Sequence, residues 1–190
     1  MARIGQAVTG QPMTVDEFFA LGEAPFRYQL VEGALVVNEP KLPHQIAVGN
    51  IYWALIAWRR AAPGRGHAGM PADFVLDERN VYAPDVWWVA EARKPRPGDL
   101  DLDGLPDLVV EVRSPSTWRY DLGAKRRHYA RSGIAELWLV DTRSQTVAVH
   151  RRSTPSTPAF DFTVVATADD ELGSPLLPGF GFAVRELFVP

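Results

Sequence analysis

Two short apolar runs each carry a carboxylate, and that pair limits what this chain can fold into more than any other feature. Asp85, behind Pro84, heads the run Val86 to Ala90, and Glu111 sits inside the run Leu108 to Arg113. Runs of this length, rich in Val and Trp, read as buried strands. A charge in a buried strand is costly unless it is paired, so each carboxylate calls for a partner. If the two strands pair antiparallel, the start of the first lies beside the end of the second, and Asp85 and Glu111 converge.

Side chains alternate along a strand, so Val109, Glu111 and Arg113 share one face while Leu108, Val110 and Val112 share the other. A hard cation such as Mg²⁺ or Mn²⁺ takes one or two carboxylates, with carbonyls, waters and substrate phosphate filling the remaining positions. Asp85, Glu111 and the backbone carbonyl of Val112 supply such a set. A second Pro-Asp pair, Pro106-Asp107, does not compete. Asp107 and Glu111 are four apart in one strand, about 13 Å at roughly 3.3 Å per residue, too far for one ion. Asp107 therefore reads as a strand-start residue, and Asp73 is kept as a secondary candidate.

The segment after the second strand carries Leu122, Lys125 and Tyr129, one stripe of a 3.6-residue period, within a helix that Asp121 can cap and Gly133 can end. If that stripe faces the sheet, Lys125 brings an ammonium to the two carboxylates, where it could hold a scissile phosphate. Arg113 could bind phosphate through two parallel bonds but stays protonated, which excludes it as a base. Ser114, Arg119, Arg126 and Arg127 are substrate-binding candidates, the arginines being suited to a phosphate backbone. Their alternative reading is a solvated helix face near a C-terminus, where cations are favoured.

The rest of the chain frames this region. The 190 residues are 46% hydrophobic and 23% charged, enough for a real core in one domain over residues 1–190, with 1–12 a loose tail. The net charge of −3 leaves no global basic field, so nucleic-acid binding would depend on local Arg and Lys. Without cysteine there is neither a disulfide nor a thiolate metal site. No apolar run reaches the ~20 residues a bilayer requires, so the expectation is a soluble, cytoplasmic protein with no membrane partner. Thr14-x-x-Glu17 is a capping-box pattern. Tyr28–Val31 and Ala34–Val37 read as a hairpin around Glu32-Gly33. His44 to Arg60 is the longest helical pattern, apolar on most sides and so expected to be largely buried, with His44 at its start either bordering the cleft or, the safer reading, serving helix entry. His67 to Leu76 and Val81 to Ala90 read as strands, as do Glu136 to Asp141, Thr146 to Arg152 and Phe160 to Thr167. Of the six tryptophans, Trp118 is the one expected to be exposed. The apolar tail from Leu176 to Pro190 is either an interface or a seal on the core. These elements compose an α/β or α+β mixed fold with a central sheet flanked by helices.

The same residues carry a resemblance. Pro84-Asp85, Glu111 through Thr117, Asp121, Lys125, Tyr129 and the run Gly133 to Asp141, with Tyr28 to Gly33 and His44, resemble the Uma-type restriction endonuclease family of the PD-(D/E)XK nuclease superfamily. The resemblance implies a restriction-endonuclease-like core and Mg²⁺-dependent phosphodiester cleavage. It matches Asp85 and Glu111 to the metal-binding carboxylates and Lys125, from the following helix, to the motif lysine, whose usual position holds Arg113. Where the family usually has an acidic residue after the first-motif aromatic, this chain has Gln29, with Glu32 three residues on; Gln29 can accept a hydrogen bond but adds no charge. The expected function is a divalent-metal-dependent endonuclease on DNA, a homodimer by analogy with other small nucleases. The alternative is a non-catalytic nucleic-acid- or protein-binding module that keeps the nuclease fold.

Overall fold

The computed structural model describes residues 11–22 and 28–190. The expected tail lies outside the described residues apart from Gln11 and Pro12. Thr14 and Glu17 form the capping box reciprocally, Glu17 N–H donating to Thr14 Oγ1 and Thr14 N–H to the Glu17 carboxylate, and this starts α1 (Val15–Phe19). β1 (Tyr28–Val31) and β2 (Ala34–Val37) form the expected hairpin. Its turn residues Glu32 and Gly33 both have positive φ, 52° and 77°, the turn whose twist matches that of the flanking strands.

α2 (Leu42–Arg60) begins with Pro43 in its first turn, where the missing N–H has no intrahelical partner to lose. It buries one stripe, Ala47, Val48, Ile51, Leu55 and Trp58, against the main sheet. Burial on most sides is not found: Trp53 is 68% exposed, because the sheet covers only one face of the helix. Trp53, and not the half-buried Trp118, is the exposed tryptophan.

The segment 67–76 is not one strand. It divides into β3 (His67–Gly69) and β4 (Phe74–Asp77), which join different sheets, with Pro71 between them unable to donate to a ladder. The segment 81–90 divides in the same way into β5 (Asn80–Tyr82) and β6 (Val86–Val89), and Pro84-Asp85 is the step from one sheet to the other. A 3₁₀ turn, Glu91–Arg93, and an exposed loop lead to β7 (Leu108–Val112). A composite helix follows, made of α3 (Trp118–Tyr120), a π-helical turn (Asp121–Lys125) and α4 (Arg126–Arg131). β8 (Glu136–Asp141), β9 (Thr146–Arg151) and β10 (Phe162–Ala166) form a meander, and β11 (Glu171–Leu172), β12 (Phe182–Ala183) and a 3₁₀ turn (Val184–Phe188) complete the chain.

The larger sheet has the order β10-β9-β8-β7-β6-β3, with β7 and β8 parallel and the other pairs antiparallel; the smaller has the order β2-β1-β5-β4 and is antiparallel throughout. Alternation along β7 sends Val110 and Val112 to one face, against Leu55 and Trp58 of α2 and Leu177, Val184 and Leu187 of the C-terminal segment. Those three C-terminal residues are fully buried, so the apolar tail is the seal on the core. Val109 goes to the other face, with Leu137 and Leu139, against Val31 and Tyr82 of the small sheet and Ala124 and Tyr129 of the composite helix. Glu111 belongs to this second face by the same alternation.

Candidate functional site

The β6–β7 register pairs Val86 with Val110. One step further along this antiparallel pair, Asp85 stands across from Glu111, the separation at which cross-strand side chains interact. Asp85 Oδ2 accepts the Val112 N–H at 2.8 Å, and His44 Nε2 lies 3.2 Å from the same oxygen. His44 reaches it because it sits in the first turn of α2. Its Nδ1 is buried with no hydrogen-bond partner.

The composite helix supplies the other face of the cluster. Lys125 Nζ donates to Glu111 Oε1 at 2.6 Å and to Asp121 Oδ1 at 2.9 Å, and Tyr129 OH donates to the same Glu111 Oε1 at 2.6 Å. The ring of Tyr82 lies 5.6 Å from Lys125 Nζ and packs edge-on against Tyr129. The inward stripe is therefore Asp121, Lys125 and Tyr129, not Leu122, Lys125 and Tyr129: Leu122 is 48% exposed. The cause is the π-helical turn, whose i→i+5 bonds add a residue to the turn and rotate Leu122 outward. The helix also starts earlier than expected, so Asp121 is a buried ion-pair partner and not its N-cap.

Asp85, Glu111, Asp121 and Lys125 are 6%, 3%, 2% and 3% exposed, which makes the electrostatics decisive. Burial pulls the Lys125 pKa down, but the Asp121 and Glu111 carboxylates more than offset it, and the ammonium stays protonated. Burial pushes the Glu111 carboxyl up to about 8 against the pull of Lys125, with Asp121 and Asp85 adding to the rise. Asp121 moves up for the same first reason.

The family model Uma2, described as "Putative restriction endonuclease", matches residues 15–185. The chain belongs to the Uma2 family. Among solved structures, a "putative nuclease belonging to DUF820 from Anabaena variabilis ATCC 29413" is similar at 21% identity and a TM-score of 0.77, over 93% of this chain and 98% of that one. That likeness shows the fold, a restriction-endonuclease-like nuclease fold with a mixed central sheet. No curated protein matches the chain.

The remaining candidates on this Uma2 chain separate by position. Gln29, on β1, is buried and its Oε1 accepts the Ala83 N–H at 3.3 Å, just ahead of the Pro84-Asp85 step. Arg113 does not join the carboxylate cluster: its Nη1 meets both oxygens of Asp141, at 2.9 and 2.8 Å, and its guanidinium lies 5.8 Å from the Trp118 ring. β7 ends at Val112, so the strict alternation that would align Arg113 with Glu111 stops one residue short. Ser114 is fully buried with its hydroxyl against Ser116. Arg119, Arg126 and Arg127 are exposed, Arg127 3.5 Å from Glu32. Asp73 lines a groove with Phe19, Trp87 and Leu102, none of which belongs to the cluster. Asp107 holds the Ala90 N–H and Arg93, as a strand-start residue should.

Sequence reading passed over Asp121 as a site member. Its signal was the spacing Asp121, Lys125, Tyr129, at i, i+4 and i+8, which puts all three on one face of a helix.

The donor set suits a divalent cation. Asp85 and Glu111 each use one named oxygen, Oδ2 and Oε1, in the bonds above. Among the described residues no three His, Asp or Glu side chains converge as a ready-made cage. Mg²⁺ and Mn²⁺ take few protein ligands and complete their shell with water and phosphate. None of the described helices is long and apolar enough to cross a membrane.

Proposed function

We propose that this chain is a divalent-metal-dependent endonuclease that hydrolyses phosphodiester bonds in DNA, in the cytoplasm, as a homodimer with one site for each strand. The observation that carries this reading is the bonding of Glu111 and Asp121 to the single ammonium of Lys125, with Asp85 across from Glu111 in the β6–β7 register, in a member of the Uma2 family. Asp85 and Glu111, with the Val112 carbonyl, would hold Mg²⁺ or Mn²⁺. A bound cation supplies Lewis acidity toward the scissile phosphate and makes water easier to deprotonate.

The chain's own groups do the rest. Lys125 has three N–H donors, of which two go to Glu111 and Asp121, and the third can meet a phosphate oxygen as its charge grows. The Val112 N–H and His44 keep Asp85 from rotating. Arg119, Arg126 and Arg127, on the outside of the same helix, would follow the DNA backbone.

The test is incubation of the purified protein with plasmid DNA, and separately with RNA, in Mg²⁺, Mn²⁺ or chelator. Cleavage of DNA in either ion, none in chelator, and loss in the Asp85→Ala variant are expected. No cleavage in any ion, together with no calorimetric metal binding, would overturn the proposal. A second reading, a non-catalytic binding module, is favoured by the neutral Gln29 and by Arg113 being paired with Asp141. Under that reading Asp85→Ala leaves DNA or partner binding intact and no cleavage is seen in the wild type.

A further inference from the structure

Two donors meet on one oxygen of Glu111. Lys125 Nζ and Tyr129 OH each lie 2.6 Å from Oε1, and both come from the composite helix. A carboxylate oxygen has two lone pairs, so these bonds occupy Oε1 and leave Oε2 as the oxygen free to take a cation. We propose that Tyr129 is a positioning residue that restricts Glu111 to one-oxygen coordination and so sets a preference for Mg²⁺ over Ca²⁺. The proposal rests on the reading of Glu111 as a metal ligand.

The chemistry of the two ions makes this restriction selective. Mg²⁺ demands near-ideal octahedral geometry at about 2.0–2.1 Å, whereas Ca²⁺ takes six to eight oxygens at about 2.3–2.6 Å and accepts both oxygens of one carboxylate. The two oxygens of a carboxylate lie too close together for adjacent corners of the small octahedron, but they suit the larger, irregular shell. A Glu111 free to turn would therefore serve Ca²⁺ well.

Tyr129 is placed to prevent that turn, and Lys125 alone is not. An ammonium on a flexible four-carbon stem can follow a rotating carboxylate, while a phenol on a packed ring cannot. The Tyr129 ring is 2% exposed, held edge-on by Tyr82 at 5.4 Å and packed with Ile134 and Leu137. Burial, followed by the nearby Glu111 charge, drives its pKa far above the usual tyrosine value, so it remains a donor at any working pH. Tyr82 cannot substitute, since its hydroxyl is bonded to Asn80 and His128.

The experiment is calorimetric titration of Mg²⁺ and Ca²⁺ into the wild type, Tyr129→Phe and Glu111→Gln, a readout independent of cleavage. The wild type should bind Mg²⁺ more tightly than Ca²⁺. Tyr129→Phe keeps the ring, and should shift the Mg²⁺/Ca²⁺ affinity ratio toward Ca²⁺ by ~10-fold or more, the scale on which a group that orients a metal ligand acts. A Tyr129→Phe protein with the wild-type ratio, or a wild type that prefers Ca²⁺, overturns the role of Tyr129 and leaves Glu111 as a ligand. Binding unchanged in Glu111→Gln, or no binding of either ion to the wild type, overturns the metal-site reading itself. Should Tyr129→Phe fail to fold, a wild type that prefers Ca²⁺ still overturns the proposal.

Discussion

Lys125 is the one cation among three buried carboxylates, and its removal should be felt in stability as well as chemistry. Lys125→Met keeps much of the volume but leaves Glu111 and Asp121 without their counter-charge, a change worth about 3–5 kcal/mol when a buried pair is broken. Urea unfolding in chelator should show a loss of that size, and cleavage should fall by ~10²–10³-fold, the usual effect of removing one electrostatic donor. Glu111 predicts a pH dependence. Its folded pKa, raised to about 8 by burial, stands above the ordinary 4.5, so between these values the folded protein holds a proton that the unfolded chain has lost. The stabilisation this brings is fully present below about pH 4.5 and is lost as the pH rises through about 8. Metal-free melting temperatures should thus fall across that window, and Glu111→Gln, which cannot titrate, should fall less. Equal slopes in the two proteins would contradict the assignment.

The elements position these residues through their ends and irregularities more than through their regular stretches. Pro84-Asp85 is where the chain leaves the small sheet for the large one, and the π-helical turn is the irregular stretch that carries Asp121 and Lys125. The same sensitivity holds at Gly69 of β3, where a Cβ would lie 2.0 Å from the Trp87 ring. Trp87 has little freedom to move, being buried, with its Nε1 donating to the Met70 carbonyl at 2.6 Å. Gly69→Ala should therefore cost about 1–3 kcal/mol through overpacking, read as a lower melting temperature with metal affinity unchanged. At the other end of the core, Leu187 is fully buried against α2, and Leu187→Ala should cost about 2–5 kcal/mol. If truncation there left the melting temperature unchanged, the C-terminal segment would not be the seal described above.

At the scale of the molecule, a cation that binds only the folded state stabilises it by mass action, about 2.7 kcal/mol when the ligand is at 100 times its Kd. Mg²⁺ should accordingly raise the melting temperature of the wild type by several degrees and that of Glu111→Gln hardly at all. A rise of equal size in both would place the ion elsewhere. Much of this architecture follows from sequence-local rules. The Thr14–Glu17 capping box, the hairpin at Glu32-Gly33, the long helix behind Pro43 and the β8–β9 meander each follow from capping, turn or alternation chemistry that operates over a few residues. Alternation along β7 fixes the face of Glu111, but its meeting with Asp85 is conditional on an antiparallel pairing that the β6–β7 register supplies. What the tertiary structure alone decided were matters of distant contact. Which sheet each half of 67–76 and 81–90 joined, which face of α2 was covered, and whether Arg113 met Glu111 or Asp141 all depend on segments far away in the chain. Asp121 is the clearest case. By sequence it suits a helix cap; with the helix starting already at Trp118, and Glu111 and Lys125 opposite it in the core, it is the third buried carboxylate of the site.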